Sequence, residues 1–260
     1  METKTFTKAM AEDLVRKSKG VTAYIPNDIT ELEPGCFSNL YISEVILPEG
    51  LITIGENAFS NCCYLESVNF PGTLTQIDDN EFSFCTALEK LDLSKCTSLA
   101  EISAFSFYYC YSLNKVILPN TILNINNSAF KNCINLREIN FPSCLRYIGR
   151  NAFEACSFIS DIKLTENLQY IGDEAFTFCD SIEQITIPGS IKAISRRSFY
   201  GCIKLKTVTI QYGITKIKTS AFEKCIELEN VTIPESVTII SDKAFSDCIS
   251  LKKINIIIQN

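Results

Sequence analysis

The sequence predicts an α/β solenoid: a right-handed coil with short parallel strands on its concave face and turns and short helical segments on its return side. Three observations carry this reading. Phenylalanine recurs at Phe37, Phe59, Phe82, Phe107, Phe130, Phe153, Phe176, Phe199, Phe222 and Phe245, with gaps of 22, 23, 25 and then 23 throughout. A fixed short period marks one structural unit stacked many times. A cysteine follows three residues later, at Cys62, Cys85, Cys110, Cys133, Cys156, Cys179, Cys202, Cys225 and Cys248, and a Leu or Ile six residues later. The pattern then changes to a period of two, as in Val68 and Phe70, Ile162 and Leu164, and Val208 and Ile210. Such alternation is the mark of a short half-buried strand.

Proline closes the strand at Pro48, Pro71, Pro119, Pro142, Pro188 and Pro234. Lacking an N–H, it ends the ladder and turns the chain. The return leg carries two apolar anchors three apart, such as Leu74 and Ile77, Leu145 and Ile148, and Leu168 and Ile171. One coil cannot bury its apolar set alone, so the Phe, Cys, Leu and Ile columns are expected to stack into one continuous core.

The run Leu136-x-x-Ile139-x-Phe141-Pro142-x-x-Leu145-x-x-Ile148-Gly149-x-x-Ala152-Phe153-x-x-Cys156 resembles the BspA-like leucine-rich repeat, and Leu168 to Cys179 repeats the match. The resemblance covers residues 21 to 258. Some copies depart from the pattern: Leu40 stands where the first cysteine is expected, and the copy after Phe82 carries two extra residues and no proline. The resemblance implies a non-enzymatic protein-binding module, of the kind found on microbial surface antigens and adhesins. The alternative is an intracellular scaffold or regulator of the same fold.

At 260 residues the chain reads as residues 1–20, a helix capping the first coil, and residues 21–260, a solenoid of ten repeats after an N-terminal partial repeat that runs from Tyr24 through Ile29 and Leu32. The capping helix is read over residues 5–19, with Phe6, Ala9, Met10 and Leu14 on one face and Gly20 as the stop. The N-terminus shows no apolar leader and no apolar run long enough to span a bilayer. This points to the cytoplasm, whereas the family resemblance points to the cell surface. Net charge is −6, which argues against generic nucleic-acid binding. Residues 1–189 hold 13 basic and 24 acidic side chains, and residues 190–260 hold 11 and 6.

Histidine is absent. That removes the usual general base and the commonest metal ligand. No glycine-rich phosphate loop appears. The adjacent carboxylates Asp78-Asp79 and Asp173-Glu174 fall in turns. The expectation is no enzyme, no cofactor and no metal. Consecutive cysteines of the column lie close enough for a disulfide on distance alone, but their side chains point in parallel into the core, where a free thiol behaves as a small hydrophobe. Cys36, Cys63, Cys96 and Cys144 lie outside the column and are expected to be the accessible ones. Asn126-Asn127-Ser128 and Asn230-Val231-Thr232 are glycosylation sequons, relevant to a secreted chain.

The outward strand positions form the expected binding face for a protein partner: Glu66, Asn69, Lys90, Asp92, Lys115, Ile117, Arg137, Asn140, Lys163, Gln184, Thr186, Thr209, Thr232 and Lys253. A second patch is expected at Phe84, Tyr108 and Tyr109, beside Phe105 and Tyr111. The last segment, Ile254-Asn255-Ile256-Ile257-Ile258, has no cap in this sequence. It is expected to be covered by a second molecule or to fray.

Overall fold

The computed structural model describes residues 3–18 and 21–257. The chain winds as a solenoid whose strands pair in parallel with the coils before and after. Each coil has three legs. The first is a strand such as Lys115–Ile117 or Gln184–Ile187. The second is the return leg, which holds a two-residue strand such as Gln76–Ile77 or Asn124–Ile125. The third is the turn that carries the phenylalanine. Pairing is in register: Gln184, Thr207, Asn230 and Lys253 stand in one row, and Ile185, Val208, Val231 and Ile254 in the next.

The phenylalanines form the spine. Phe37 to Phe222 are fully buried. Their rings, from Phe6 to Phe245, stack with centroids 5.0–5.5 Å apart and planes within 3–12° of parallel. Each ring is worth roughly 1.5–3 kcal/mol in burial alone. The backbone of this leg is hydrogen-bonded between coils as well. Phe130 N–H donates to Ala152 C=O (2.8 Å) and Phe176 N–H to Ser198 C=O (2.8 Å).

The cysteine column has a polar role besides its packing. Each Sγ–H donates to the C=O of the phenylalanine one coil earlier: Cys133 to Phe107 (3.1 Å), Cys156 to Phe130 (3.1 Å), Cys179 to Phe153 (3.2 Å) and so on to Cys248 and Phe222 (3.1 Å). Serine would bond there too, but with a greater desolvation cost and less apolar surface. All thirteen cysteines are free. Two expectations about the others are corrected: Cys36 and Cys96 are fully buried. Cys36 fills the small-residue site before Phe37, and Cys96 donates to Pro71 C=O (3.4 Å). Only Cys63 and Cys144 are half-exposed.

The return leg also differs from expectation. Among the described residues the one helix is Lys8–Lys17, and the return side has two-residue strands in place of short helical segments. Close approach there explains the Ile-Gly pairs: a Cβ on Gly172 would lie 2.5 Å from the backbone N of Arg150.

The helix face was misread from sequence. Phe6 belongs to the strand Thr5–Phe6, which pairs with Glu31–Leu32, and its ring is the first of the stack, 5.5 Å from Phe37. The helix therefore starts later, with Thr7 as its cap accepting from Met10 N–H (3.4 Å). It buries Ala11 and packs Leu14 and Val15 on the core, while Met10 is exposed. Gly20 and residues 258–260, to which the helix stop and part of the open end were assigned, lie outside the described residues.

Candidate functional site

The expected binding residues all reach the surface of the strand leg. Glu66, Asn69, Lys90, Asp92, Arg137, Asn140, Lys163, Gln184, Thr186 and Lys253 are exposed, and Lys115, Ile117, Thr209 and Thr232 are half-buried. Alternation explains this, because inward positions such as Leu91, Val116 and Ile185 are buried.

Several of these side chains are engaged within the chain. Asn69 takes Leu47 N–H (2.7 Å) on its Oδ1 and donates to Leu47 C=O (3.1 Å). Asn140 does the same to Leu118, at 2.8 and 2.9 Å. Both amides stand in for strand pairing and are spent on the fold. Asp92 accepts from Ser94 N–H (3.0 Å), and the bonds from Ser94 hold its carboxyl below the ordinary range. Lys115 pairs with Glu138 (2.6 Å) and Lys163 with Asp161 (3.2 Å). Arg137 lies over the exposed Phe158 ring at 4.4 Å. Exposed pairs of this kind contribute little to stability.

The strand ladder is not continuous, and sequence reading missed this. It falls into three runs, ending after Ser67–Asn69 and again after Glu138–Ile139. The second break is the wider one: residues 160–164 form no strand, and none of their backbone N–H or C=O groups makes a hydrogen bond to another coil. Both breaks follow the same three residues, Asn69-Phe70-Pro71 and Asn140-Phe141-Pro142. Other strands put Leu or Ile before the proline, as in Leu47-Pro48, Leu118-Pro119 and Ile187-Pro188. The larger rings of Phe70 and Phe141 stand edge-on against the next coil's spine, Phe82 and Phe153, with centroids 5.6 Å away in each case. Each ring stands at the corner before an unpaired step of the ladder, and the step from residues 160–164 to Gln184–Ile187, with Leu164 at its corner, is unpaired as well. The first break keeps one bond, Glu89 N–H to Glu66 C=O (3.4 Å).

The second break is flanked by hollows. One of about 540 Å3 lies between residues 160–164 and Glu183, Gln184 and Thr186. Another of about 310 Å3 is lined by Lys115, Ile117, Arg137, Asn140 and Asp161. The break thus brings together Lys115, Ile117, Arg137, Asn140, Lys163, Gln184 and Thr186 from the expected face. It leaves Glu66, Lys90, Thr209, Thr232 and Lys253 on flat parts of the ladder.

The aromatic patch is also exposed in part, and it is strained. Two positions per coil, flanking the spine phenylalanine, adopt positive φ. Asn61, Asn132 and Gly201 suit that conformation, but Phe84 (61°), Phe105 (57°) and Tyr109 (59°) also adopt it. Bulky residues there are uncommon. The rings pack on each other, with Phe84 stacked on Tyr109 at 5.1 Å and Tyr108 edge-on to Phe105 at 5.6 Å.

Among the described residues no group of three or more His, Cys, Asp or Glu is placed to hold a metal ion. No helix there is long and apolar enough to cross a membrane.

The sequence matches the BspA type leucine-rich repeat region in six copies, over residues 16–101, 100–226 and 169–260. The chain belongs to this family. No curated protein shows significant similarity to it. Among solved structures, a leucine-rich repeat protein from Bacteroides ovatus is 24% identical, with 90% of this chain and 71% of that one covered and a TM-score of 0.50. One from Eubacterium ventriosum is 16% identical, with coverage of 100% and 67% and a TM-score of 0.53. The pneumococcal vaccine antigen PcpA is 18% identical, with coverage of 92% and 79% and a TM-score of 0.50. These likenesses show a shared leucine-rich-repeat fold.

Proposed function

We propose that this BspA-type chain is a non-enzymatic protein-binding module of the surface-antigen or adhesin kind, and that it binds through its strand face. The observation that carries the reading is the strand face itself: rows of exposed polar side chains of both signs, one coil apart, on a scaffold whose interior is sealed by stacked phenylalanine. Fixed side chains on rigid elements are what a specific interface needs. The pneumococcal neighbour's standing as a vaccine antigen supports the surface placement. The test is a charge-reversed variant, Lys90→Glu with Arg137→Glu and Lys163→Glu, compared with wild type in capture of partners from the native cells. Partner retention is expected to drop at least about tenfold, in line with the loss of one or more interfacial contacts. Retention equal to wild type, with loss instead in a return-side variant such as Arg146→Glu, would overturn the assignment of the face.

One observation favours the intracellular scaffold. Thirteen free thiols suit a reducing compartment. Burial pushes the thiols of Cys36 and Cys62 up to about 12, so alkylation at neutral pH should modify Cys63 and Cys144 quickly and the fully buried cysteines only after denaturation. Protein taken from its native cells with all thiols free and bare Asn126 and Asn230 points to the scaffold. Disulfides, or a glycan on either asparagine, point to the surface module.

Self-association through the last coil is part of the proposal. Among the described residues Lys253–Ile257 pairs on one edge only, and Ile240, Ile249 and Ile256 are 52%, 79% and 70% exposed. Sedimentation of this chain is expected to show concentration-dependent association that Ile249→Lys with Ile256→Lys suppresses. A wild-type monomer at every concentration, with slow exchange in residues 254–257, would remove this element.

A further inference from the structure

We propose that the break in the strand ladder at residues 160–164 is a docking groove for an extended segment of a partner polypeptide, bound by main-chain pairing. The inference rests on the strand face being the binding face and names where on it, and what, the chain binds.

The argument begins with unpaired backbone. In a parallel ladder alternate residues turn their N–H and C=O to opposite neighbours. Glu183 C=O accepts from Lys206 and Thr207 N–H (2.8 and 3.3 Å), so Gln184 and Thr186 turn their groups toward residues 160–164. Those residues return no bond. The donors and acceptors along this side of Gln184–Ile187, and the whole of residues 160–164, are therefore open. Between paired strands within each run the same groups are taken. The chemistry that satisfies alternating main-chain donors and acceptors is another extended main chain.

The second observation is room. The hollow of about 540 Å3 lies directly between the two unpaired stretches, a volume in the range of ordinary ligand sites. The third is charge. Asp161 and Glu183 line the hollow, and each is already paired, to Lys163 at 3.2 Å and to Lys206 at 3.4 Å. The rim offers no free charge, so the open main chain is what it presents to a partner.

The test pans the full chain against phage-displayed random decapeptides and follows the selected peptides by hydrogen exchange. Bound peptides are expected to be rich in β-branched residues and to slow exchange in residues 160–164 and 184–186. N-methylation at any residue of the inserted stretch should weaken binding at least about tenfold, because a strand between residues 160–164 and 184–186 turns alternate donors to the two sides, while methylation outside that stretch should have little effect. Peptides that slow exchange only at residues 66–140 would overturn the groove and leave the strand face standing. Protection on no part of the strand face would overturn both. Indifference to N-methylation at every position would overturn main-chain pairing, and with it the proposal.

Discussion

Phe176→Ala is expected to lower stability by about 3–5 kcal/mol, as large-to-small substitutions of buried aromatics do when the site cannot collapse. Phe176 is fully buried. Its ring stacks between Phe153 (5.3 Å) and Phe199 (5.4 Å). The walls of the resulting cavity cannot close in, because the backbone on both sides is held at coil spacing by bonds that do not involve the ring. Phe176 N–H still donates to Ser198 C=O, and Cys202 Sγ–H still donates to Phe176 C=O. Phe245→Ala at the last coil should cost less than half as much. That ring is only partly buried and has one stacked neighbour, Phe222 at 5.4 Å. Urea unfolding of both variants, with exchange rates to show whether the array splits into parts, measures the difference. Equal losses would mean that the spine is not a cooperative stack.

Glu81→Gln is expected to stabilise the protein at pH 7 by about 1–3 kcal/mol, because it removes the cost of keeping a buried carboxyl protonated, at about 1.4 kcal/mol for each unit of pKa shift. Glu81 occupies the position before Phe82, where most coils carry alanine, and it is fully buried. One carboxyl oxygen accepts from Asp78 N–H (2.7 Å); the other has no partner. Burial, reinforced by the charges of Asp78 and Asp79, raises its carboxyl well above the ordinary value of 4.5. The sign follows from proton counting. The folded state holds the proton to higher pH than the unfolded one does, so this residue's contribution is most favourable below about pH 4.5 and is lost as pH rises through the folded value. The variant should match wild type in acid and exceed it at neutral pH. Melting curves from pH 4 to 8 test this. A constant offset, or a gap that widens toward acid, would rule out a buried protonated carboxyl.

How much of this was legible in the sequence differs residue by residue. The spine was legible because Phe176 and its equivalents recur at a fixed spacing and no other position combines that size with that regularity. The outward strand positions were legible because a strand turns alternate residues to opposite faces. Asn69 and Asn140 were read correctly as surface positions, but their amides bond to the preceding coil, and nothing local distinguishes such an amide from a free one. Phe6 was drawn into the helix by its spacing from Ala9 and Met10; its stacking on Phe37 is a contact between residues far apart in sequence. Cys36 and Cys96 fell outside the cysteine column, yet burial at those points is decided by the fold and not by the column.

The sequence by itself determined the architecture: a repeat whose apolar columns can be buried only by stacking coil on coil, with parallel strands in register. Tertiary structure alone decided where that regularity fails. Residues 160–164 alternate as well as any other strand, and no feature of their own pattern marks them as unpaired. Phe141 stands at the corner before them, edge-on to Phe153, yet the step after them is unpaired too, with Leu164 at its corner. Periodicity reports what each coil prefers, whereas pairing depends on how two neighbouring coils fit.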